Sequence, residues 1–142
     1  MEDQDYEQTG RDLLHNYGAF KELRGLLGVT LNRMSVITGV NSKTLESWEA
    51  AGRTSVVRAN TAIKIGKIYQ EVLHWVAQLD DEGVRLTQLM PWHDVARSFG
   101  VAPDSYRLKQ KCQEGALTCR DLGSLGVYVP RVEVEALKKA GF

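Results

Sequence analysis

Glycines at positions 28, 39 and 52 cut the stretch Phe20 to Gly52, FKELRGLLGVTLNRMSVITGVNSKTLESWEAAG, into pieces long enough only for small helices. Phe20, Leu23, Leu26 and Leu27 recur at helical spacing, which predicts a helix from Ala19 to Leu27 that Gly28 stops. Thr30 is placed to cap a helix from Leu31 to Thr38, and Asn41 to cap one from Ser42 to Ala51. So short a connection between those last two needs a residue free to adopt positive φ, and Gly39 supplies it. Ser35 is small enough for a close approach, and Met34, Ile37, Val40, Leu45 and Trp48 supply a buried seam. The remaining face of the second helix, Ser42, Lys43, Glu46 and Ser47, is small, polar or charged.

The rest of the chain divides around this segment. Residues 1–10 are acidic and polar and are expected to be a mobile tail, with a short helix from Arg11 to Tyr17. An N-terminal helical bundle is assigned to residues 11–57, and Arg53-Thr54-Ser55 reads as its polar loop. Ala62, Ile65, Tyr69, Val72, Val76 and Leu79 then mark one face of a long connecting helix, residues 58–82, about 30 Å at the helical rise. Asp80-Asp81-Glu82-Gly83 closes it. In residues 83–142, Pro91 opens a helix to Ser98 and Pro103 one to Glu114. Leu117 to Arg120 and Gly126 to Val129 read as a hairpin around Gly123-Ser124, and a last helix runs from Arg131 to Ala140. The expected fold class is mainly α: an N-terminal helix-turn-helix bundle, a long linker helix, and a small C-terminal winged helix-turn-helix domain with a short β-hairpin.

Charge is zero in sum but uneven in distribution. Residues 1–16 carry one basic and five acidic side chains, residues 17–79 eight and four, residues 80–82 three acids, and residues 83–142 nine and six. Two basic blocks separated by acidic segments fit modest affinity for any duplex and reliance on specific contacts. The polar second-helix face would then enter a major groove about 12 Å wide and meet base edges. No Gly-rich phosphate loop, nucleophile–base pairing or metal-ligand spacing occurs, so an enzyme, a cofactor and a metal site are not expected. Cys112 and Cys119 match no zinc or redox spacing and are expected as reduced thiols near a core; His15, His74 and His93 are scattered. No apolar run spans a membrane and the N-terminus lacks a signal pattern, so a cytoplasmic location is expected.

From Phe20 to Leu79 the chain resembles the lambda-repressor-like helix-turn-helix domains, through Leu23-Arg24, Gly28, Met34-Ser35, Gly39-Val40, Thr44-Leu45 and Trp48-Glu49. The resemblance implies a pair between Arg24 and Glu49, base contacts from Ser42, Lys43, Glu46 and Ser47, and phosphate contacts from Asn32, Asn41, Thr44, Arg53, Thr54 and Arg58. Leu31 stands where many members carry glutamine.

The segment from Met90 to Phe142 resembles the winged helix-turn-helix of excisionases and the MerR-like family. DNA contacts are then expected from Ser105, Arg107, Lys109, Lys111, Arg120 and Ser124. The combination is similar to immunity repressors of temperate phages infecting mycobacteria. That similarity implies a repressor that binds double-stranded DNA as a monomer at an asymmetric, bipartite operator. An excisionase-like architectural protein and a protein-binding adaptor or antitoxin are the alternatives.

Overall fold

The computed structural model describes residues 2–16, 18–51 and 57–142. The chain is mainly helical, with a small antiparallel sheet of three strands. It forms two compact units, residues 1–77 and 78–142.

The N-terminal unit contains α1 (Asp3–His15), α2 (Ala19–Leu27), α3 (Leu31–Thr38), α4 (Ser42–Ala51) and most of α5 (Ala59–Asp81). Leu13 and Leu14 of α1, Phe20, Leu23 and Leu27 of α2, Met34 and Thr38 of α3, and Leu45 and Trp48 of α4 are buried together with Ala62, Ile65 and Val72 of α5. Leu26, expected in the α2 stripe, is instead exposed. Thr30 caps α3 by accepting from the Arg33 N–H at 3.1 Å. Gly39 ends α3 at φ 72°, the left-handed conformation that lets the chain reverse into α4. Ser35 Oγ donates to the Val40 carbonyl and ties that turn to the helix before it.

Two expectations are corrected here. The expected mobile tail, residues 1–10, is helical from Asp3 onward, and α5, expected as a long connecting helix, also buries Ala62, Ile65 and Val72 in the N-terminal unit. The physical reason is a close crossing of α1 and α5 at two buried glycines. A Cβ on Gly10 would lie 2.0 Å from the Ala62 carbonyl oxygen, and one on Gly66 2.0 Å from that of Tyr6. Charge is matched across the same crossing: Lys67 Nζ lies 3.7 Å from Asp3 Oδ1 and 5.4 Å from the centre of the Tyr6 ring. Arg11 pairs with Glu7 and donates to the Val57 carbonyl at 3.0 Å.

The C-terminal unit contains β1 (Leu89–Pro91), α6 (Trp92–Ser98), α7 (Tyr106–Gln113), β2 (Arg120–Asp121), β3 (Val127–Pro130) and α8 (Arg131–Lys139). The sheet order is β1-β3-β2, with Met90 opposite Val129 and Arg120 opposite Tyr128. The β2–β3 connection holds a 3₁₀ turn, Gly123–Leu125. Val95, Ala96, Leu108, Leu117, Val129 and Val134 form the core, flanked by Trp92, Phe99 and Phe142.

The helix expected from Pro103 starts at Tyr106 instead. Ser105 N–H donates to the Ala102 carbonyl at 3.0 Å, closing a turn over Pro103-Asp104, and Ser105 Oγ then caps the helix by accepting from Leu108 N–H. The expectation of reduced thiols is also corrected: Cys112 and Cys119 form a disulfide. The chain reverses at Gly115, φ 83°, and brings the last turn of α7 back to the start of β2, with the two Cα atoms 5.6 Å apart. Closing so short a loop should contribute about 2 kcal/mol. Dithiothreitol is therefore expected to lower the urea midpoint of the C-terminal unit, and to leave that of a Cys112→Ser/Cys119→Ser variant unchanged. An identical midpoint with and without reductant in the natural chain would refute the bridge.

Candidate nucleic-acid interface

Both ends of α4 are fixed by side chains. At its start Asn41 Oδ1 accepts from Lys43 N–H at 2.8 Å, a cap that uses the carbonyl oxygen and leaves the amide NH2 on an exposed residue. At its end Glu49 receives both arms of Arg24, from Nε at 2.7 Å and from Nη2 at 3.0 Å. The third guanidinium nitrogen, Nη1, donates to the Val29 carbonyl at 3.0 Å. The side-chain hydrogen bond to Glu49, aided by its charge, raises the Arg24 pKa above the ordinary value although burial opposes it. Arg24 thus bolts the last turn of α4 to α2 and to the α2–α3 loop.

Leu45, fully buried, and Trp48, set edge-on to Phe20 with ring centres 5.7 Å apart, define the inward side of α4. Helical geometry places Lys43 and Ser47 opposite them, with Glu46 on one flank and Thr44 on the other. All four are exposed. Ser42 is half-buried at the margin of this face, whereas exposed Ala50 extends it. Ala50 was not among the expected contacts, because alanine carries no polar signal; a small apolar side chain there suits a thymine methyl. Asn32 and Arg58 are exposed. Arg53 and Thr54 lie outside the described residues.

The C-terminal unit treats its expected contact residues unequally. Ser105 Oγ is occupied as a cap. Arg107 and Lys111 each lie 5.4 Å from the centre of the Phe142 ring, and Lys111 Nζ is also 3.4 Å from Glu114. Arg120 is held by Glu82 at 3.0 Å, which neutralises its charge locally. Lys109 is exposed and forms no ion pair among the described residues. Ser124 is exposed in the 3₁₀ turn between β2 and β3. Tyr106, absent from the expected set, opens α7 with 70% of its surface exposed. The signal was present in the sequence as an aromatic next to Arg107, but a helix start placed at Pro103 put it on the wrong turn.

Among the described residues no helix is long and apolar enough to cross a membrane. Compared with known proteins, the chain matches no protein-family model, no curated protein and no solved structure.

Proposed function

We propose that this protein is a sequence-specific repressor of transcription that binds double-stranded DNA. In this reading α3 and α4 act as a helix-turn-helix with α4 in the major groove, and α6, α7 and the β2–β3 hairpin act as a winged helix-turn-helix. The observation that carries it is the build of α4. Its two ends are pinned by Asn41 and by the Arg24–Glu49 clamp, while its outward side consists of exposed Lys43, Thr44, Glu46, Ser47 and Ala50. A helix fixed at both ends, with a mostly polar face that forms no ion pair among the described residues, is what base readout requires, since side chains must meet base edges in register.

The two units differ in fold, so the two parts of the operator differ in sequence. One chain then reads an asymmetric, bipartite site as a monomer, and the covalent tether makes the second contact intramolecular. The resemblance to phage immunity repressors makes silencing of phage promoters the cellular role. The test is selection of bound duplexes from a random pool, followed by gel shifts on the selected site and its separated halves. The expected result is an asymmetric consensus, one chain per duplex, and weak binding to either half alone. A palindromic consensus bound by a dimer, or full affinity for one half, would overturn the monomer reading. On the selected site Lys43→Ala is expected to cost about 1–3 kcal/mol, whereas Arg58→Ala weakens binding to every duplex alike and flattens the salt dependence by about one unit of slope.

A further inference from the structure

Helix α7 sorts its side chains by direction. Leu108 is fully buried and Cys112, one turn later, is held in the disulfide, so this side faces the core. At about 100° per residue the opposite side is formed by Tyr106, Gln110 and Gln113, with Lys109 beside them. Tyr106, Lys109 and Gln113 are exposed and Gln110 is half-buried. Arg107 and Lys111, one turn apart, occupy a separate flank where both lean on Phe142. The helix carries three basic side chains and no acidic one.

We infer that the C-terminal unit reads bases through Tyr106, Lys109, Gln110 and Gln113, and that Arg107 and Lys111 form a flank that meets phosphates. The inference rests on the DNA-binding reading above and assigns the partner surface of α7 to a major groove. Charge complementarity commits the occupant to a polyanion, and the outward side chains supply groups that a phosphate backbone alone does not need. Glutamine pairs in two-point fashion with adenine N6 and N7, lysine donates to guanine O6 and N7, and an apolar ring covers a thymine methyl. Tyr106, 70% exposed, presents its ring on the same outward side of α7 as Gln110 and Gln113. The recognised half-site is therefore expected to be rich in A·T pairs with a guanine among them. Arg107 and Lys111, steadied by the Phe142 ring, present charge on a flank away from the outward side, which suits a phosphate contact that fixes position rather than sequence.

The test uses the full chain and a random-sequence duplex pool, with an unrelated duplex as the measure of non-specific binding. Tyr106→Ala and Gln110→Ala are each expected to relax base preference in one half of the selected consensus and to weaken binding to the wild-type site about tenfold. Their binding to the unrelated duplex should stay at the wild-type level. Arg107→Ala and Lys111→Ala are expected to lower binding to both duplexes equally and to leave the consensus unchanged. Thermal melting of each variant checks that the unit remains folded, and Gln113→Ala repeats the base test at an exposed position. An unaltered consensus at wild-type affinity in the Tyr106, Gln110 and Gln113 variants would overturn the inference, as would a changed consensus in the Arg107 variant. A wild-type chain that enriches no duplex would instead overturn the DNA-binding reading itself.

Discussion

Replacing Gly66 by alanine is expected to destabilise the N-terminal unit by about 3 kcal/mol or more, measured by urea unfolding. The added methyl would sit 2.0 Å from the Tyr6 carbonyl oxygen, 2.8 Å from its carbonyl carbon and 3.1 Å from its Cα. None of these is the end of a flexible side chain that could swing aside. Relief requires the backbone of α1 to withdraw from α5, which separates Lys67 from Asp3 and the Tyr6 ring. Gly10→Ala should behave alike, because its methyl meets the Ala62 carbonyl oxygen at the same distance. Gly25→Ala is the control. Gly25 lies inside α2 with nothing within 4 Å of its would-be Cβ, so alanine there should stabilise by about 0.5–1 kcal/mol through helix propensity. A Gly66→Ala protein as stable as the natural one would mean that α1 does not lie on α5.

That crossing also marks what a linear reading could and could not see. The segment from α2 to α4 was legible because its determinants are local. Gly39 turns the chain, Thr30 and Asn41 cap the helices that follow them, and Met34, Leu45 and Trp48 bury at helical spacing. The role of Gly10 and Gly66 is not local. Each matters only because a backbone more than fifty residues away comes against it, and nothing in an acidic segment such as residues 1–10 announces a helix partner. β1 escaped for a related reason: three residues ending in proline carry too little pattern, and the strand exists because β3 pairs with it.

The candidate site was legible to a similar degree. The outward residues of α4 follow from periodicity once the buried seam is known. The start of α7 did not follow, because Pro103 is a plausible first helical residue and the competing cap at Ser105 depends on a turn closed by Ala102. Nor did the sequence reveal that Arg120 is spoken for by Glu82, thirty-eight positions away, or that Arg107 and Lys111 share one aromatic ring. Basic composition singled out α7 as a candidate, whereas the choice of face required the core to be placed first.

Arg24→Ala is expected to cost about 2–3 kcal/mol of stability in the N-terminal unit. The Arg24 side chain is 23% exposed and that of Glu49 only 9%, so deletion of the guanidinium leaves a carboxylate with little water to replace two charged hydrogen bonds. It also removes the donor from the Val29 carbonyl. Solvent reaches the pair from the arginine side, which keeps the loss below that of a fully buried ion pair. Pairing the change with Glu49→Leu should recover part of the loss, because no unpaired carboxylate then remains. Arg24→Lys separates charge from geometry: an ammonium restores attraction to Glu49 but cannot hold both of its oxygens and the Val29 carbonyl from one planar fork. It should therefore melt between Arg24→Ala and the natural protein. Full recovery by lysine would show that charge alone suffices and that the fork does not position α4. On the proposed DNA-binding reading, Glu49 anchors the end of the helix that carries Lys43 and Ser47, so a loosened clamp should also weaken binding to the selected DNA more than binding to an unrelated duplex, even at temperatures where the unit remains folded.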